Sequence, residues 1–279
     1  MKSPFVWFQY LLPQHAVSRL ILRATRVRAP WFKNWLIRGF LKLYTIDMSD
    51  AVEPAPLAYG SFNEFFTRAL KSGARRIAPG PEEIACPVDG TISEAGRIEG
   101  DRLLQAKGRD YTLNELLASQ AWAQHFEGGS FATIYLAPFN YHRIHMPLLG
   151  SLRETLYVPG RLFSVNAATA AQVPRLFARN ERVLTLFDTA CGEVAVILVG
   201  ALNVGSMATV WAGDITPAAR RAVTTLPPHA VTLDKGDELG RFNMGSTVIL
   251  LFQAGRVRWH GTTRAGAAVK LGQSLGVFE

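Results

Sequence analysis

The chain has 279 residues, enough to bury a full hydrophobic core as one large domain or as one domain with an appendage. Hydrophobic residues make up 48% and charged residues 19%, which excludes a disordered chain. Two cysteines, Cys86 and Cys191, make no disulfide framework and fit a reduced, intracellular protein. The net charge of +8 is lopsided. Residues 1–46 hold Lys2, Arg19, Arg23, Arg26, Arg28, Lys33, Arg38 and Lys42 and no Asp or Glu; of 30 basic residues, 22 remain elsewhere, where they balance 22 acidic ones. Charge confined to one segment speaks to where that segment binds, not to the substrate of the neutral body.

In chain order, residues 5–12 are apolar but few, end at Pro13 and lack a small-residue cleavage site, so no signal peptide is expected. A helix is expected from about His15, with Arg19, Arg23 and Arg26 on one stripe and Val17, Leu20, Ile21 and Ala24 largely away from it. Pro30 opens a second amphipathic helix, WFKNWLIRGFLKLY, whose Asn34, Arg38 and Lys42 share a narrow polar face. Basic edges beside Trp and Phe describe a helix lying in an anionic membrane interface. The same pattern also fits helices packed on the body with their arginines in water. So many large apolar side chains argue against a nucleic-acid arm, because phosphate contacts do not need them. A loop rich in Pro and Ala follows Asp47, so residues 1–60 are expected as a membrane-associating arm with its linker, and residues 61–279 as a catalytic domain.

Beyond the linker, SFNEFFTRAL and TLNELLAS each read as a helix opened by a hydroxyl cap with Glu three residues on, Ser61 with Glu64 and Thr112 with Glu115. Around them run short β-like segments: GTISEAGRIEG, RLLQAKGRD, SFATIYLA, GSLRETLYV, RVLTLFDT and TVILLF. The uncharged stretch 194–213 is long enough for a bilayer, but Val-rich and broken by Gly200, Asn203 and Gly205; it reads as two buried strands with a Gly-containing connection. The fold class expected is α+β, a β-rich body with an N-terminal amphipathic helical arm.

Three constellations carry chemistry. From Gly240 to Thr247 the glycine spacing is that of a phosphate loop, but Ser246 stands where the lysine belongs and a strand-like VILLF follows instead of a helix, which excludes it. In YLAPFNYHRIHMP, His142 and His145 share one turn; a zinc pair lacks further ligands at metal spacing, and a loop histidine held by a hydrogen bond is the plain alternative. Asp89-Gly90 is most simply a hairpin turn. Ser246 changes that balance, because a serine nucleophile needs a base and a histidine base is best held by a carboxylate. Asp89, a histidine at 142 or 145, and Ser246 supply such a set. Gly245 directly before the serine leaves the preceding carbonyl uncrowded, which suits attack on the chain's own backbone.

Seven blocks in order resemble the pyruvoyl-dependent, bacterial-type phosphatidylserine decarboxylase family: PVDGTIS, LQAKGRDYTL, YHRIHMP, YVPGRLFSVN, LFARNERV, VGALNVGSMATVWAG and KGDELGRFNMGSTV. Met244 stands where the family's cleavage motif usually has leucine, a similar apolar volume. The resemblance implies that Ser246 attacks the carbonyl of Gly245 and, after elimination and hydrolysis, becomes a pyruvoyl group, with Asp89 and His145 as the activating relay. It implies a large chain 1–245 and a small chain 246–279, and leaves a homodimer of the cleaved pair open. The substrate serine amine then forms a Schiff base with the pyruvoyl ketone, loses its carboxylate into that electron sink and leaves as phosphatidylethanolamine. His142 is implied at the substrate, to bind it or to protonate near the reacting carbon, with Ser164 a weaker contact. No metal, external cofactor or nucleic acid is implied, and the site of action is the cytoplasmic face of the inner membrane, held peripherally at an anionic surface. A lipid serine hydrolase using Asp89, His145 and Ser246, or a basic-armed binding protein, are the competing classes.

Overall fold

The computed structural model describes residues 4–106, 108–202, 206–216, 222–226, 230–245 and 247–279. The arm contains one helix more than the sequence suggests: α1 (Pro4–Leu11), α2 (Gln14–Thr25) and α3 (Pro30–Leu43). Pro13 divides the first two, and Pro30 sits in the first turn of α3, where its missing N–H has no partner to lose. A β-rich body follows, so the chain is mixed α+β as expected.

Nine strands among the described residues form one antiparallel sheet. Across it run Gly150–Val158, Arg182–Thr189, Gly192–Val199, Thr247–Phe252, Ser130–Tyr135 and Gly90–Arg97. The Thr247–Phe252 strand is central: Leu250 lies opposite Val196 on one side and Ala132 on the other. All six of its residues are buried, which explains an apolar run without alternation, since both faces of the sheet are covered here. A smaller antiparallel sheet joins Gly213–Asp214, Met207–Thr209, Glu238–Phe242 and Arg143–His145. The stretch 194–213 is two strands in its described part, and no helix among the described residues is long and apolar enough to cross a membrane.

Both expected helices of the body form. Thr112 and Glu115 complete a capping box at Leu113–Leu117; Ser61 caps Phe62–Phe66 (α4), with Glu64 reaching the Gly60 amide. The Gln120–Phe126 helix, capped by Ser119, was not expected; at seven residues it is too short to show a helical period.

The arm docks on the body by hydrogen bonds as much as by apolar contact. The buried face of α2 is Gln14, Ser18, Leu22 and Thr25, whereas Leu20, expected among the apolar set, is exposed. The reason is the open backbone of 162–164: Leu162 N–H donates to Gln14 Oε1 (2.9 Å) and Ser164 N–H to Gln9 Oε1 (2.7 Å). Buried amides require acceptors, so Gln14 of α2 and Gln9 of α1 turn inward, while Arg19, Arg23 and Arg26 stay exposed. Val6 enters the main core, Tyr10 packs on Phe163 at 4.8 Å, and Ile37 and Phe40 of α3 join Phe62, Phe65 and Phe66. The outward surface is left with Phe5, Trp7, Phe8, Leu11, Trp31, Trp35 and Leu43 beside Arg38 and Lys42. Trp31 is 76% exposed and Trp35 66%.

The central strand sets the stability of the body. Leu250→Ala should cost about 2–5 kcal/mol, because the cavity cannot collapse between two paired neighbours. A thermal melt of this variant should shift down by several degrees; an unchanged midpoint would contradict the central placement.

Candidate active site

Asp89 precedes the Gly90–Arg97 strand and is not in a hairpin turn. Gly90 is required by crowding: a Cβ there would stand 2.5 Å from the Tyr135 carbonyl oxygen. Three hydrogen bonds hold the Asp89 carboxylate. Arg75 donates from Nε to Oδ1 (3.1 Å) and from Nη2 to Oδ2 (2.6 Å), and the Leu271 amide donates to Oδ1 (2.8 Å). Arg75 also bonds Asp50 at 2.6 Å, which links the carboxylate to the start of the linker. Such bidentate pairing is strong and fixes orientation.

The two histidines are held differently. His142 is buried, and its Nδ1 lies 2.8 Å from the Asn140 carbonyl, which can only accept, so the proton is on Nδ1 and Nε2 carries the lone pair. That Nε2 is sealed from solvent and has no partner among the described residues. It lies 3.1 Å from where a Cβ on Gly245 would stand, with the Leu136 carbonyl at 3.3 Å, so a side chain at 245 would crowd the ring. Burial pushes the His142 imidazole down to about 3, assisted by the nearby Arg68 cation, and Phe66 stacks on it at 4.2 Å. His145 ends the Arg143–His145 strand; Nδ1 donates to the Gly236 carbonyl (2.7 Å) and Nε2 accepts from Tyr141 Oη (3.0 Å). Burial lowers its proton affinity as well.

Ser246 lies outside the described residues, so its surroundings are read from its neighbours. Gly245 and Met244 line a cavity of about 450 Å³ with Phe40, Leu43, Tyr44, Phe66 and Ser164, so α3 of the arm forms one wall. Met244 packs in the same cluster as Ile37 and Phe66. On the other side, Thr247 Oγ1 is buried without a partner. The structure therefore brings His142 and Gly245 together and puts Ser164 in the cavity. Among the described residues no hydrogen bond joins Asp89 to His145. Arg75 and Tyr141 were not singled out in the sequence; neither stands in a spacing that signals chemistry, and only the fold brings them to Asp89 and His145. Among the described residues no group of three His, Cys, Asp or Glu side chains is placed to hold a metal ion.

A buried neutral imidazole packed against Gly245, which itself lines a mostly apolar cavity, makes a candidate site for an amphiphilic molecule. A family model described as phosphatidylserine decarboxylase matches residues 62–277, and a second, described as PSD, matches residues 4–45. Phosphatidylserine decarboxylase proenzymes of Methylococcus capsulatus and Azotobacter vinelandii are each 51% identical, over 98% of this chain and 96% and 97% of their own. That of Pseudomonas putida is 53% identical, over 99% of this chain and 98% of its own. The chain belongs to the phosphatidylserine decarboxylase family and is a carboxy-lyase.

The depressed proton affinity of His142 has a sign. The unfolded ring takes a proton near pH 6.5 and the folded ring only near 3, so between these values the unfolded state binds more protons and stability falls as pH falls. His142→Asn should reduce the loss of urea stability between pH 7 and pH 5; a loss as steep as the parent's would show that His142 is not the group responsible.

Proposed function

We propose that the chain is a proenzyme that makes its own pyruvoyl cofactor and then decarboxylates phosphatidylserine to phosphatidylethanolamine. Ser246 Oγ attacks the Gly245 carbonyl carbon and the amide becomes an ester. Loss of the Ser246 α-proton expels the Gly245 carboxylate, and hydrolysis of the resulting dehydroalanine releases ammonia and leaves a pyruvoyl terminus on the chain 246–279. The observation that carries this reading is the cradle of Gly245, which lines an apolar cavity and lies against the sealed Nε2 of His142, unpartnered among the described residues. Thr247 Oγ1, also sealed and unpartnered, is a second polar atom flanking position 246, so the surroundings fit a small group bearing two carbonyls. That group supplies an electron sink conjugated to the substrate amine.

In this account Asp89 and His145 form the relay that activates Ser246, and Arg75 positions Asp89. His145 must exchange the Tyr141 hydroxyl for that of Ser246 to act. His142 holds the substrate or returns a proton at the reacting carbon. A second reading exchanges the two histidines, because the unoccupied lone pair beside Gly245 belongs to His142. The variants decide. Ser246→Ala should stay uncut and inactive. His145→Ala should stay uncut, with cleavage slowed on the order of a thousandfold or more, as for lost triad members. His142→Ala should be cut on a denaturing gel but lose decarboxylation. An uncut His142→Ala with a normally cut His145→Ala would exchange the two roles.

Residues 1–60 act as the membrane-associating unit and 61–279 as the catalytic domain, cut between 245 and 246. The chains 1–245 and 246–279 remain one particle, with a homodimer of that pair as the assembly. The arm works peripherally at an anionic surface, the cytoplasmic face of the inner membrane. Its outward tryptophans and basic residues support this, each cation near such a surface contributing on the order of 1 kcal/mol. Replacing Trp31, Phe32 and Trp35 by polar residues should weaken binding to anionic liposomes and activity on bilayers while self-cleavage proceeds. An uncut or insoluble product, without selective loss of liposome binding, would assign the arm a structural role only.

A further inference from the structure

Phosphatidylserine brings a phosphodiester and a carboxylate into a cavity whose lining includes no charged side chain. A basic side chain follows one of its lining residues, Phe66, two positions on. Three basic side chains are buried among the described residues: Lys33, Arg68 and Arg182. Lys33 donates to the Leu57 carbonyl, and Arg182 donates to the carbonyls of Glu115, Leu116, Ala178 and Asn180. Arg68 is only 5% exposed, yet its guanidinium makes no hydrogen bond or ion pair among the described residues. Its Nε is wholly sealed, so what solvent reaches is the Nη edge. A buried unpaired guanidinium is strongly unfavourable, and a chain retains one where an anion arrives later.

The position fits that use. Phe66, two residues earlier, lines the cavity and stacks on His142. The Thr67 carbonyl accepts from Arg143 Nε at 2.9 Å, which fastens this segment to the strand carrying His145. The charge of Arg68 is felt at His142, where it disfavours a second cation; burial lowers the proton affinity of Arg68 itself, with Tyr59 and then Asp89 opposing. Asp89 is not its partner, because Arg75 and the Leu271 amide occupy that carboxylate.

We propose that Arg68 is an oxyanion seat of the active site that takes the phosphodiester of the substrate headgroup. This rests on the decarboxylase reading above. A planar fork of donors matches two phosphate oxygens, and a phosphate held there anchors the headgroup while its amine reaches position 246. The phosphodiester is preferred to the carboxylate because pairing the carboxylate with a cation would stabilise the group that has to leave.

The test uses the full-length wild type, Arg68→Gln and Arg68→Lys in mixed micelles of phosphatidylserine, with self-cleavage read by intact mass. Arg68→Gln should be cut, raise KM on the order of tenfold and change kcat far less. Glycerophosphoethanolamine, a phosphodiester without a carboxylate, should inhibit the wild type competitively and Arg68→Gln on the order of tenfold more weakly, while free serine should not distinguish them. Unchanged KM and inhibition overturn the seat. Selective loss of inhibition by serine overturns the phosphodiester in favour of a carboxylate. Unchanged KM with weakened association of the two cut chains overturns it in favour of the new Gly245 carboxylate. If Arg68→Gln is insoluble or uncut, Arg68→Lys decides: KM and glycerophosphoethanolamine inhibition should both weaken by roughly threefold as a point charge replaces the fork, and no change in either overturns the seat. A wild type that does not decarboxylate phosphatidylserine sinks the underlying reading instead.

Discussion

The structure depends on one strand whose pairing does not rely on the peptide bond at its head. Thr247–Phe252 begins two residues after Gly245 and lies in the centre of the large sheet, paired along its whole length with Ser130–Tyr135 and Gly192–Val199. A cut before residue 246 removes no ladder hydrogen bond from it. The segments that follow are sewn in as well: Ala268–Val269 pairs with the start of Gly90–Arg97, and Ser274–Phe278 with Glu83–Ala85. A C-terminal chain of this kind is held by burial and pairing at several sheet positions, not by the peptide bond at its head. The same pairing explains why folding has to come first, since only the finished sheet sets Gly245 against His142.

The arm joins two jobs in one element. Helix α3 has 14 residues, about 21 Å of helix. Phe40 and Leu43, with Tyr44 at its end, close the cavity beside Gly245, while Trp31, Trp35, Arg38 and Lys42 face outward. An outward surface of aromatic and basic side chains and a cavity wall thus share one short helix. Gln9 and Gln14 strengthen that coupling, because they hold the backbone of 162–164, and Ser164 lines the same cavity.

Much of this was legible in the sequence where a local pattern has one physical meaning. The apolar VILLF, the hydroxyl caps at Ser61 and Thr112 and the prolines of the arm each dictate local structure, and each element formed. The inward side of Gln9 in α1 and of Gln14 in α2 was not legible, because it is set by distant amides at 164 and 162 that no helical period records. At the site, Gly245 beside Ser246 and the two close histidines were visible as types and spacings. Arg75, Tyr141 and the Gly236 carbonyl were not, because their meaning arises only when the sheets bring residues far apart in sequence together. Arg68 was also invisible as a motif; a lone arginine after FFT has no signature until it is found buried without a partner.

The central claim is that the chain converts its own residue 246 into a reactive carbonyl, and mass spectrometry of the purified wild type under denaturing conditions, with and without a hydrazide probe, tests it most directly. The account predicts two species from one gene product, residues 1–245 and 246–279, with the hydrazide adding only to the smaller. A single active chain of 279 residues that takes up no hydrazide would contradict it.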